Sequence, residues 1–131
     1  MTVDDPVSAV QARQRILVVD DEPELREIVQ LVLEEDGYEV LTASDGQEGL
    51  ESVLSLQPDL VLLDMSLPVM SGEEFAAGLR AAVTHPVPII VMSAAGTIVE
   101  RAARIGAVGS VSKPFDLDDL SAAVRKALPP R

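Results

Sequence analysis

From Arg15 onward the chain alternates two kinds of segment: short apolar runs rich in β-branched residues, and longer stretches whose apolar positions recur at helical spacing. The first run is Ile16-Leu17-Val18-Val19, closed by Asp20-Asp21. Pro23 then suits the first turn of a helix, Leu25, Ile28, Val29, Val32 and Leu33 form one apolar stripe, and Gly37 supplies the stop. Tyr38 to Ala43 predicts a second strand, and Leu50, Val53 and Leu54 predict a helix that follows Asp45-Gly46 and ends before Pro58. Leu60-Val61-Leu62-Leu63 predicts a third strand ended by Asp64. Beyond a loop with Pro68, Ser71-Gly72-Glu73-Glu74 has the S-x-x-E form of a capping box, and Phe75 and Leu79 continue that helix. Pro86 and Pro88 precede a fourth strand, Ile89 to Met92, which ends at Ser93. A helix with Ile98, Ala102 and Ile105 closes at Gly106, and Val108 to Ser112 predicts a fifth strand ending at Lys113-Pro114. Asp116 caps a last helix lined by Leu117, Leu120, Val124 and Leu128 and stopped by Pro129-Pro130.

Strands that are apolar on both faces and alternate with amphipathic helices predict an α/β fold, a (βα)5 doubly wound sheet of five parallel strands with right-handed crossovers. Such a sheet can take the flavodoxin-like strand order 2-1-3-4-5. Residues 1–13 are polar, contain Pro6 and show no period, so they read as a flexible tail; 14–128 read as one domain and 129–131 as its C-terminal end.

Composition narrows the function classes. The 131 residues are 47% hydrophobic and only 2% aromatic, enough for one aliphatic core. The absence of cysteine removes disulfides, thiolate nucleophiles and Cys-based zinc sites. A net charge of −12 with no Lys/Arg cluster argues against direct nucleic-acid binding and against binding to an anionic membrane. No apolar run reaches the roughly 18 residues of a membrane span, and Asp4 and Asp5 stand where a signal peptide wants positive charge, so no membrane insertion and a cytoplasmic location are expected.

The candidate chemistry lies at the strand ends. Strand one ends in Asp20-Asp21, strand three in Asp64, strand four in Ser93 and strand five in Lys113, and in a parallel sheet these ends share one edge. Two carboxylates about 4 Å apart cost about 4 kcal/mol at an effective dielectric of about 20, so three of them call for cations. Lys113 offsets one charge. Mg²⁺ suits the rest, because it accepts a sparse carboxylate set completed by a backbone carbonyl and waters. Such a site can hold an anionic phosphoryl group, with Ser93 and loop N–H groups as donors. There is no cysteine and no G-x-S-x-G elbow, and His85, the single histidine, sits in a loop, which leaves Asp64 as the candidate nucleophile for an aspartyl phosphate. Asp21 alone could merely cap the first helix, and Ser93 alone could simply bond to backbone; the full set carries the reading.

The runs ILVVDDEPELREIV, DLVLLDMSLPVMSG, PIIVMSA and SVSKPF resemble the signature segments of the response-regulator receiver domain of two-component signalling, in its single-domain, chemotaxis-regulator-like form, over residues 14 to 128. The resemblance implies that Asp64 is the phosphoacceptor and that Asp20, Asp21, Asp64 and the Ser66 backbone carbonyl hold Mg²⁺. It further implies that Ser93 moves toward the phosphoryl group, that Lys113 neutralises it, and that the Lys113-Pro114 bond is cis. The implied donor is a phosphohistidine on a sensor histidine kinase or phosphotransfer protein, and the implied output is altered contact with a downstream protein target. On this reading the chain is not a metabolic enzyme, although it catalyses its own phosphorylation and slow dephosphorylation. Where the family commonly places a switch aromatic, this chain has Ser110, and the stretch from Ser93 to Lys113 is shorter than usual. Ser66 and Ala95 stand at the positions that tune dephosphorylation, and neither orients an attacking water well, which predicts an aspartyl phosphate that is not especially short-lived. Two other readings remain open: a receiver-like docking module indifferent to phosphorylation, and an aspartate-based phosphatase of the haloacid-dehalogenase type, whose D-x-D pattern the run Asp20-Asp21-Glu22-Pro23 does not match.

Overall fold

The computed structural model describes residues 13–67, 69–94 and 98–128. The expectations placed on residues 1–12, Pro68, Ala95 and 129–131 lie outside that range, as does the side chain of Ile98. The strands are β1 (Arg15–Val19), β2 (Glu39–Ala43), β3 (Leu60–Asp64), β4 (Ile89–Ala94) and β5 (Gly109–Lys113). The helices are α1 (Pro23–Glu35), α2 (Gly46–Leu56), α3 (Gly72–Ala82), α4 (Ile98–Ile105) and α5 (Leu117–Ala127). All pairings are parallel, in the order β2-β1-β3-β4-β5.

Side chains alternate across the sheet and separate two aliphatic layers. Leu17, Val19, Val61, Leu63, Ile89 and Val91 pack against Val53 of α2, Phe75 and Leu79 of α3, and Ala102 and Ile105 of α4. Ile16, Val18, Leu60, Leu62, Ile90, Met92 and Val111 pack against Val29 and Leu33 of α1 and Leu120 and Val124 of α5. The order reverses at β1, which has β2 on one side and β3 on the other, so the carboxyl ends of β1 and β3 flank the switch point where open α/β sheets bind ligands.

The helix starts are chemically defined. Pro23 opens α1, Asp45 caps α2 by accepting the Glu48 N–H, and Ser71 with Glu74 forms the reciprocal capping box of α3. Gly37, at φ +100°, turns the chain out of α1 into β2. Gly72 packs closely on Met65, whose flexible Sδ–Cε end occupies the space a Cβ there would enter. That close approach seats the start of α3 on the residue that follows Asp64.

Three expectations shift. The fifth strand starts at Gly109, not Val108: its register with β4 begins at Ile90↔Gly109, and Val108 stands beyond the last pair, 60% exposed. The second strand starts at Glu39, one residue after Tyr38. The apolar stripes are also narrower than the spacing suggested. Val29 and Leu33 bury the face of α1, whereas Ile28 is exposed; with Leu25, Phe115 and the exposed Leu117 it lines an open cleft of about 490 Å³ beside Lys113. Leu54 on α2 is likewise exposed, one residue past the buried Val53.

Candidate functional site

The predicted strand-end residues meet at one edge. Asp20 directly follows β1, and its backbone N–H donates to the Ala43 carbonyl at 3.1 Å, extending the ladder to the site. Asp64 is the last residue of β3 and pairs in register with Met92, so Ser93 lies one residue further along β4 on the same edge; Lys113, opposite Ala94, ends β5. Asp20 and Asp64 are 0% and 1% exposed and Ser93 is buried, while Asp21 is exposed. A carboxylate oxygen from each of Asp20, Asp21 and Asp64 lies within 4.8 Å of the others. These three can hold a metal ion together. Two buried carboxylates and one exposed one in so small a volume fit a hard divalent cation by donor type and by charge.

Asp20 Oδ1 accepts the Glu22 N–H at 2.9 Å, and its Oδ2 accepts from Lys113 Nζ at 2.8 Å. Its backbone carbonyl accepts from Arg26 Nη1 at 2.6 Å. Asp64 Oδ1 accepts the Ser66 N–H at 3.0 Å and lies 3.5 Å from Lys113 Nζ. Among the described residues Asp64 Oδ2 accepts no hydrogen bond, so the carboxylate is held by one oxygen and presents the other.

Electrostatics set Asp64 apart. Burial raises its pKa above the ordinary carboxylate value, and the charges of Asp20 and Asp21 add to that, outweighing the lowering by the Ser66 N–H and Lys113. Burial pulls the Lys113 ammonium down, but its hydrogen bond to Asp20 and the charges of Asp20 and Asp64 outweigh this and leave it above its ordinary value. It therefore stays a cation. Lys113 also reaches Glu22 at 3.2 Å, and it follows that the lysine is shared among three carboxylates. The Lys113-Pro114 bond is cis, as the resemblance implied.

Ser110 is exposed at the outer strand, opposite Val91, and His85 is exposed in its loop, away from the strand-end residues. Two contributors escaped the sequence reading. Glu22 occupies the N-cap of α1 but makes no side-chain cap bond and reaches instead to Lys113, 91 residues away. Arg26, one helical turn later, ties α1 back to the end of β1. A glutamate that precedes Pro23 directly after two site acids was the available signal for the first; nothing in the spacing singled out the second.

A family model described as the response regulator receiver domain matches residues 16–125. Sporulation initiation phosphotransferase F of Bacillus subtilis is 35% identical over 118 residues, which are 88% of this chain and 94% of that protein. The DNA-binding response regulator MtrA of Mycolicibacterium smegmatis is 42% identical over 118 residues, again 88% of this chain but 51% of that protein, so the chain spans about half of that relative. Among solved structures, the chemotaxis protein CheY4 of Vibrio cholerae matches with a TM-score of 0.82 at 31% identity, covering 89% of this chain and 100% of that one.

Proposed function

The chain belongs to the response-regulator receiver family, a family of phosphoacceptor domains in two-component signalling, and on that premise we propose that Asp64 is its phosphoacceptor. The observation that carries this reading is the buried Asp64 carboxylate with Oδ1 held by the Ser66 N–H, Oδ2 without a hydrogen-bond partner among the described residues, and Lys113 alongside. The donor is a phosphohistidine on a sensor histidine kinase or a phosphotransfer protein. Asp64 Oδ2 forms the new O–P bond as the P–N bond breaks, and the imidazole nitrogen leaves with the N–P electron pair and takes up a proton. Lys113 pairs with one phosphoryl oxygen, and the hydroxyl of Ser93, a residue at the same sheet edge, donates to another. Asp20, Asp21, Asp64 and the Ser66 carbonyl would hold Mg²⁺, which, when bound, supplies the positive charge that three carboxylates and a phosphoryl group lack. The output is a change in contacts with a downstream protein.

A small-molecule donor such as acetyl phosphate with Mg²⁺ should add one phosphoryl mass to the wild type and none to Asp64→Asn; equal labelling of the variant would refute the assignment. The exposed Ser110, where the family commonly carries an aromatic switch, favours one competing reading, docking that ignores phosphorylation. Partner affinity that is the same with and without beryllofluoride would establish it.

A further inference from the structure

Both carboxylate oxygens of the buried Asp20 are already in use. Oδ1 accepts the Glu22 N–H at 2.9 Å, and Oδ2 accepts from Lys113 Nζ at 2.8 Å. A cation held by Asp20, Asp21 and Asp64 therefore competes with Lys113 for one carboxylate. Losing Asp20 is costly for Lys113, because its side chain is partly buried and water replaces a lost partner poorly there. Asp64 offers it no independent seat. That carboxylate lies 3.5 Å from Nζ and belongs to the same acid cluster, so a cation engages it too.

Glu22 differs from both. Its Oε1 accepts from Lys113 Nζ at 3.2 Å, yet it is not one of the three carboxylates that converge. Its side chain is exposed, so water helps to solvate the charge it brings. The backbone fixes where that side chain starts. Glu22 is extended, at φ −93° and ψ 109°, as a residue before proline prefers, and its N–H is held by Asp20 Oδ1. It stands at the N-cap of α1 but makes no side-chain cap bond, so its carboxylate serves Lys113 rather than the helix.

We propose that Glu22 is a positioning residue for Lys113: a second carboxylate seat, outside the metal cluster, that keeps the ammonium at the sheet edge when a divalent cation takes Asp20. This rests on the reading of Asp20, Asp21 and Asp64 as the Mg²⁺ site. Without the cation, Lys113 has Asp20, Glu22 and the more distant Asp64. Once the cation engages Asp20 and Asp64, Glu22 is the carboxylate left to Lys113 alone. Removing Glu22 thus costs the cation-bound protein more than the cation-free one, and the difference appears as weaker Mg²⁺ binding. The same seat keeps Lys113 beside Asp64, where a phosphoryl oxygen needs a cationic partner.

The test is calorimetric titration of Mg²⁺ into the full chain, Glu22→Ala and Glu24→Ala, with circular dichroism to show that each is folded. Glu24 is exposed in the same first turn of α1 and makes no hydrogen bond or ion pair with Lys113 among the described residues, so it reports the loss of a nearby charge by itself. Glu22→Ala should bind Mg²⁺ about three- to fivefold more weakly than the wild type, the scale of one partly exposed ion pair, and Glu24→Ala less than about twofold more weakly. A second readout follows the lysine directly. Lys113 and Lys126 are the only lysines, so isotopic labelling of lysine gives two ammonium signals by NMR, assigned with Lys126→Arg. At saturating Mg²⁺ and low temperature, the Lys113 signal should persist in the wild type, where Glu22 still shields it from exchange, and broaden away in Glu22→Ala. Equal Mg²⁺ affinity in Glu22→Ala and Glu24→Ala, or a Lys113 signal that survives Mg²⁺ in Glu22→Ala, overturns the proposal and leaves the metal site in place. A wild type that binds no Mg²⁺ overturns the metal-site reading and the proposal with it.

Discussion

Replacing Asp64 by asparagine should make the protein more stable when no divalent cation is present. The carboxylate is 1% exposed, lies within 4.8 Å of carboxylate oxygens of Asp20 and Asp21, and lies 3.5 Å from Lys113 Nζ. At an effective dielectric of about 20, the buried Asp20 repels it by at least about 3.5 kcal/mol and Lys113 attracts it by nearly 5, while the exposed Asp21 is screened and adds less. These terms nearly offset. What remains is the desolvation of a buried carboxylate, several kcal/mol for an ion in a protein interior, against about 2 kcal/mol returned by the Ser66 N–H. Asparagine keeps the shape and an acceptor for that N–H and removes the charge, so the expected gain is about 1–3 kcal/mol, or several degrees in Tm. The pH dependence has a definite sign. The folded-state pKa of Asp64 is raised, so the folded wild type holds the proton more tightly than the unfolded chain, and stability is lost as pH rises through the folded value. The gap between variant and wild type should therefore be full at neutral pH and shrink on acidification. The chain has no tryptophan, so the assay is urea and thermal unfolding followed by circular dichroism in EDTA. A variant less stable than the wild type at neutral pH, or a gap that widens in acid, would refute the reasoning. Adding Mg²⁺ should reverse the order, by stabilising a wild type that holds the ion more tightly than the variant.

Three further outcomes follow from the same geometry. Lys113→Met leaves Asp20, at 0% exposure, without its cation and should destabilise by about 2–4 kcal/mol in denaturant titrations, with labelling by acetyl phosphate strongly reduced. The Glu73 carboxyl is held below its ordinary value of 4.5 first by its Arg101 hydrogen bond, so its stabilisation is present above that pH and is lost as pH falls through the depressed folded value. At a partly exposed site this is worth at most about 1 kcal/mol, which a double-mutant cycle of Glu73→Gln and Arg101→Gln across acid pH would measure. Ser66 is exposed two residues beyond Asp64 and carries no amide or acid to orient water, so Ser66→Asn should shorten the half-life of the aspartyl phosphate when decay is followed after donor removal.

The sequence revealed the site more fully than it revealed the contacts around it. Asp20, Asp64 and Ser93 could be read because each ends an apolar run, and Lys113 because it closes a short strand before Pro114; a parallel sheet brings such ends together whatever the loops do. The capping box at Ser71 and Glu74 was legible because both its partners lie within one turn. Contacts between distant segments were not. Glu22 with Lys113, and Glu73 with Arg101, join residues 91 and 28 positions apart, and periodicity carries no information on which surface charges tertiary packing will bring together. The exposure of Ile28 and Leu117 has the same cause: helical spacing marks an apolar stripe, but the width that the sheet covers depends on how α1 and α5 sit over it.

The most direct measurement is chemical mapping of the phosphoryl group. After incubation with Mg²⁺ and a phosphorylated donor, borohydride reduction converts an acyl phosphate on aspartate to homoserine, and peptide sequencing by mass spectrometry locates it. Homoserine at position 64, only when both donor and Mg²⁺ are present, is the predicted result. A phosphoryl group mapped to Asp20, Asp21 or Ser93, or homoserine at 64 that forms equally well without Mg²⁺, would contradict the account.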